Sequence, residues 1–150
     1  VSVITKVVGL DLLQKRLLRI EQELRARERI NQQATVVIDR WVQQNFEAEG
    51  RPAMGGAGWR PLAGRTIARR RKGDGRGGYK ILQDTGRLKG DWKHDWTANL
   101  AKVQSGVDYA DEHHFGKGRL PVRRILPSDR QIWPPLQKIY EGWIRGIFVR

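Results

Sequence analysis

The sequence predicts an α+β fold, with N-terminal helices and a C-terminal helix packed on a small antiparallel sheet and a long basic Gly-rich loop at about 50–80. Three observations predict it. Apolar residues recur at helical 3,4 spacing in the first fifty residues and again in the last twenty, two short segments between them alternate with strand parity, and glycines crowd residues 50–78. A chain of 150 residues has the length of one domain, so a single unit over 1–150 is expected.

Val1, Val3, Thr5 and Val7 share one parity and suggest a short strand ending at Gly9, with Asp11 as the cap of the helix that follows. Leu10, Leu13, Leu17, Ile20 and Leu24 then form one apolar stripe, while Lys15, Arg16, Glu21, Glu23 and Arg25 occupy the other faces. That stripe needs a partner. The series breaks at Arg27 and resumes as Ile30, Ala34, Val37 and Trp41, a register shift that predicts a kink or two consecutive helices, the second closing near Phe46. A long coiled coil is the rival, but too few clean heptads run before the shift, which favours packing within a small domain.

Gly50 to Gly78 is loop chemistry. Within it, Leu62 to Lys72 is expected as a short helix held by Trp59, Leu62 and Ile67, its circumference covered by Arg65, Arg69, Arg70, Arg71 and Lys72; the part after Lys72 is expected to order on a partner. Leu88, Trp92 and Trp96 share one parity, Ala101, Val103 and Val107 another, and Asn99 is a turn residue between them. This reads as an antiparallel hairpin whose first strand starts at Leu88. Tyr109 to Phe115 reads as one or two helical turns ended by Gly116, and Pro121 to Leu126 as extended chain. From a cap at Asp129 and past Pro134 and Pro135, the residues Leu136, Ile139, Tyr140, Trp143, Ile144 and Ile147 mark a final helix.

Composition narrows the function. Without cysteine there is no disulfide, thiolate metal site or Cys nucleophile. No apolar run approaches the roughly 20 residues that span a bilayer, and the start lacks a basic segment followed by an apolar one. A soluble, unprocessed cytoplasmic product with no membrane partner is expected. The net charge of +13 is local: residues 1–50 carry 8 basic and 7 acidic side chains, 51–90 carry 11 and 2, and 91–150 carry 10 and 7. A net of +9 over the middle segment suits a polyanion such as DNA; the competing reading is a solvated surface loop.

Enzymatic chemistry is poorly supported. Of the three histidines, His94, His113 and His114, the last two are adjacent, about 100° apart on a helix, and do not readily share one ion, and the spacing of a zinc-protease helix is absent. Asp84, Asp91 and Asp95 lack the supporting motif of a divalent-ion nuclease, and no Gly-Lys-Ser or Gly-Lys-Thr completes a phosphate loop. No catalytic residue, metal or cofactor is expected. Tyr79, Trp92 and Trp96 beside basic residues suggest base stacking, but Trp residues of one strand parity more often face a core. No helix-turn-helix or zinc-finger spacing supports sequence-specific reading.

One ordered series is more specific. Trp59-Arg60-Pro61-Leu62, Thr66 leading into Arg69-Arg70-Arg71-Lys72, Ile81 through Asp84-Thr85-Gly86-Arg87-Leu88, Val107-Asp108-Tyr109-Ala110 and His113-His114-Phe115-Gly116 together resemble the phage virion morphogenesis family, over roughly residues 50–127. That family includes tail completion proteins of Mu-like and related tailed phages. Two positions depart from its pattern: His114 stands where a Gln is usual, and Arg123-Arg124-Ile125-Leu126 where an Arg-Pro-Phe-Leu element is usual.

The resemblance implies a structural protein of tail completion or head-tail joining at the neck. Its expected partners are copies of itself in a ring such as a hexamer, other neck or tail proteins, and packaged DNA. It implies residence in the virion and, during assembly, in the host cytoplasm; a non-sequence-specific nucleic-acid binding protein is the alternative. Arg60, Arg65, Arg69, Arg70, Arg71, Lys72 and Arg76 are the expected contacts to DNA or an acidic partner. The motif residues have structural readings: Asp84 and Thr85 make a turn ahead of Gly86, and Tyr109 and Phe115 anchor the short helix.

Overall fold

The computed structural model describes residues 9–70 and 79–149, the side chain of Val149 excepted. The expected first strand, Val1 to Val7, lies outside them. Helices α1 (Leu10–Arg25) and α2 (Arg27–Glu47) are followed by α3 (Gly64–Arg69) and the single turn α4 (Arg87–Gly90); then come β1 (Trp92–Thr97), β2 (Leu100–Ser105), α5 (Ala110–Phe115) and α6 (Asp129–Val149). This is the mixed α+β arrangement read from the sequence.

The register shift near Arg27 is a helix break. Ala26 leaves helical geometry at φ −79°, ψ 19°, and its N–H reaches back to Gln22 and Glu23. Helix α1 starts from Gly9 at φ 93°, so Asp11 is a first-turn residue rather than the cap. Helix α2 does most of the packing: Ile30, Ala34, Val42 and Phe46 are buried, and the hairpin and α6 lie against it. The hairpin pairs Thr97 with Leu100 and Trp92 with Ser105, leaving Ala98 and Asn99 as its two-residue turn, where Thr97 Oγ1 accepts the Asn99 N–H.

Leu88 does not begin the strand. Gly86 at φ 78° turns the chain into α4, which buries Leu88 in the core before β1 starts at Trp92. The Trp parity argument holds for Trp92, which packs on the core and donates to the Leu88 carbonyl; Trp96, on the same parity, is 40% exposed. Helix α6 is entered through Ser128 rather than Asp129: the Gln131 side-chain oxygen accepts the Ser128 N–H and the Ser128 hydroxyl, each at 2.9 Å, which is one half of a capping box. Its inward stripe meets α2, where Tyr140 donates to Asn31 Oδ1 at 2.6 Å while Asn31 Nδ2 donates to the Thr97 carbonyl at 2.7 Å. One amide thereby ties α2, α6 and the hairpin together.

The core at the other end of α2 is built from irregular chain. Val42, Phe46, Trp59, Ile81, Leu88, Val107 and Ile125 form one buried cluster, with Phe46 edge-on to Trp59 at 5.3 Å. Asn45 is fully buried and makes three hydrogen bonds: Nδ2 donates to the carbonyls of Arg124 and Ile125, and Oδ1 accepts the Ala53 N–H. Trp59 Nε1 also donates to Arg124, and Gln83 donates to the Phe46 carbonyl. Gly50 sits at φ 84° directly under the Trp59 indole, where a Cβ has no room.

Asn45→Leu strands the buried Ala53 N–H and the Ile125 carbonyl and leaves the Arg124 carbonyl to Trp59 alone, and is expected to lower unfolding free energy by about 3 kcal/mol in urea titration. Gly50→Ala adds left-handed strain to a clash with Trp59 and is expected to cost more than about 2 kcal/mol. Near-wild-type midpoints for both contradict this account of the core.

Candidate partner-contact site

The expected contact residues separate into three groups. Arg71, Lys72 and Arg76 lie outside the described residues. Arg60, Arg65 and Arg69 are exposed; Arg60 lends its carbonyl to Arg123, and Arg69 meets Asp84 at 3.4 Å. Arg70 differs from the expectation, because it is buried: Nη1 donates to the Lys80 carbonyl at 2.8 Å, and Nε faces Asp84 Oδ1 at 3.4 Å. Helix α3 begins at Gly64 rather than at Leu62, Lys72 lies outside the described residues, and Arg70 folds inward to hold the incoming chain at Lys80.

Several motif residues converge on one cavity of about 440 Å³ between α3, α4 and residues 119–123. Leu62, Thr66, Leu82, Thr85, Leu88 and Tyr109 line it, with Asp84 and His113. Thr85 makes the expected turn, its Oγ1 accepting the Arg87 N–H. Asp84 does not join that turn, because Arg69 and Arg70 engage its carboxylate. Trp59 and Pro61 border the adjoining hollow on the other side of Leu62.

Two expected anchors of α5 are not buried. Phe115 is 63% exposed and meets the His114 ring edge-on at 4.6 Å, while Tyr109, at the N-terminal boundary of the helix, meets the His113 ring edge-on at 5.9 Å. Val107 and Ala110 hold α5 to the core instead. Gly116 ends it at φ 68°, and a Cβ there meets Val122.

Of the three histidines, His114 is a structural acceptor. His114 Nδ1 accepts the N–H groups of Ile125 at 3.0 Å and Leu126 at 3.4 Å. Burial, then the positive charge of Arg124, lowers its pKa, against a smaller raising effect of Asp111. For His113, burial and then Arg123 lower the pKa, against Glu112. His94 instead faces Asp39 at 3.6 Å. Among the described residues, no group of three or more His, Asp or Glu side chains is placed to hold a metal ion, and no helix is long and apolar enough to cross a membrane.

Sequence reasoning missed Arg119 and Arg123, both of which line the cavity. Arg123 is buried, and its guanidinium donates to the carbonyls of Arg60 at 3.1 Å and Pro61 at 3.5 Å. The Arg-Arg pair at 123–124 was visible as a departure from the family pattern, but nothing local shows that one of the two turns inward.

The family model described as the phage virion morphogenesis family matches residues 8–137. No curated protein and no solved structure matches the chain.

The lowered histidine pKa values have a definite sign. The unfolded chain binds protons more readily below pH about 6.5 than the folded one, so stability is full above that pH and falls as pH drops toward the folded pKa values. Denaturation midpoints are expected to decline from pH 7.5 to 5.5. His114→Asn, which keeps an acceptor and loses the proton, weakens that decline, and His114→Phe costs about 1 kcal/mol at pH 7.5. A pH-independent wild type contradicts the assignment.

Proposed function

This chain belongs to the phage virion morphogenesis family, and from that premise we propose that it completes the tail or joins head to tail at the neck of a bacteriophage particle, working as a ring of identical subunits. The family indicates a structural role in particle assembly. The observation that carries self-assembly is α1. No residue of this helix is buried, and Leu10, Leu13, Leu17 and Leu24 of its stripe are exposed, as are Leu12 and Leu18. An amphipathic helix so uncovered costs free energy in water until another surface meets it.

A second apolar surface lies on α6, where Trp133, Ile144 and Phe148 are exposed. Two unlike surfaces on one subunit suit a heterologous contact, which closes into a ring when its rotation allows. A hexamer is the ring order we propose, with neck and tail proteins as neighbours and the virion as its location. The role we propose is non-catalytic, in keeping with a family of virion morphogenesis.

Light scattering over a range of concentrations is expected to show a closed oligomer that Leu13→Glu with Leu17→Glu converts to monomer, circular dichroism remaining helical. A strict monomer that also fails to join tails or necks overturns the proposal. A second reading, a non-sequence-specific nucleic-acid binding protein, is favoured by the net +9 over residues 51–90. If it holds, Arg65→Ala with Arg69→Ala reduces the slope of log affinity against log salt by about two.

A further inference from the structure

The cavity between α3, α4 and residues 119–123 gathers charge that the described residues do not balance. Arg65, Arg69, Arg70, Arg119 and Arg123 line it, and among the described residues Asp84 is the one carboxylate of the lining. Three of the five have work within the fold: Arg70 and Arg123 bond backbone carbonyls, and Arg69 and Arg70 share Asp84. Arg65 and Arg119 are exposed at the rim and form no ion pair among the described residues. Burial and then Arg60 disfavour the charged form of Arg123, so the chain holds like charges together at a cost.

The walls between these guanidinium groups are apolar, made by Leu62, Leu82, Leu88, Leu120 and Pro121 with the Tyr109 ring. Leu82 is held at φ 59°, a left-handed conformation that branched and bulky side chains adopt only under constraint. Its side chain nonetheless packs on the core and forms part of the cavity wall. A concave apolar site of this volume with a few convergent polar groups has the character of a ligand pocket.

We propose that this cavity receives an acidic, aliphatic peptide segment of a partner protein, one carboxylate lying between Arg65 and Arg119 and a neighbouring aliphatic side chain against the leucine wall. The inference rests on the assembly reading only in taking the partner to be another virion protein. Arginine presents its donors as a planar fork that matches a carboxylate, and clusters of it are a recurring means of holding acidic motifs. A nucleic-acid backbone fits less well. Its phosphates lie along a continuous rod rather than projecting into a recess, and sugar and phosphate make no use of an aliphatic wall.

The test uses a fluorescein-labelled octapeptide alternating Glu and Leu, followed by anisotropy at low salt with the full chain. Saturable binding is expected, with the matching Gln-Leu peptide binding at least about tenfold more weakly. Arg65→Gln with Arg119→Gln is expected to reduce affinity for the Glu-Leu peptide by at least about tenfold without moving the melting temperature. Arg119→Lys, tested alone, keeps the charge without the fork and retains part of the affinity. Arg16→Gln on α1 leaves binding unchanged.

Absence of saturable binding, equal affinity for the Gln-Leu peptide, or a double variant that binds as well as wild type overturns the proposal. So does a short duplex oligonucleotide that binds the cavity arginines while the peptide does not. Light scattering on the same samples separates the two readings: a monomer that binds the peptide overturns the ring alone, and an oligomer that ignores it overturns the pocket alone.

Discussion

Buried irregular backbone is tolerable only where every N–H and C=O finds a partner, and that requirement governs this protein. Between α2 and α6 the described chain runs through turns and short helices, with one two-stranded ladder to absorb its backbone groups. Side chains do the rest. Asn45 serves Ala53, Arg124 and Ile125; Trp59 serves Arg124; Gln83 serves Phe46; His114 serves Ile125 and Leu126. Glu49 takes a left-handed φ of 50° while its carboxylate accepts the Ile81 N–H and its carbonyl the Trp59 N–H.

The same economy divides the basic residues. Arg70 and Arg123 are buried and bind carbonyls, which makes them parts of the scaffold. Arg60, Arg65 and Arg69 stay at the surface, where their charge acts on whatever approaches. Asp84 is drawn toward Arg69 and Arg70, so the cavity beside it keeps a positive excess. A motif of fold determinants thus also shapes a recess with a marked charge.

The apolar surfaces are distributed differently. Helix α1 keeps its leucines exposed at one end of the chain, and α6 leaves Trp133, Ile144 and Phe148 uncovered near the other. Between them in sequence, Arg60, Arg65 and Arg69 are exposed. In protein interfaces generally, hydrophobic area serves close contacts and directional charge selects which surface docks.

Local pattern in the sequence determined the helices, the break near Arg27, the hairpin and the glycine stop after Phe115, because each depends on residues within a turn or two. The motif series also determined the family. Tertiary structure decided what long-range bonds control: Leu88 in a helical turn set by Gly86, the inward course of Arg70 and Arg123, and the engagement of Asp84 by arginines rather than by its own turn. It also decided that Phe115 is exposed and that the α1 stripe remains open. Periodicity says that a face is apolar and composition says that a segment is basic. Neither says which partner atoms lie across from it, since those come from residues tens of positions away.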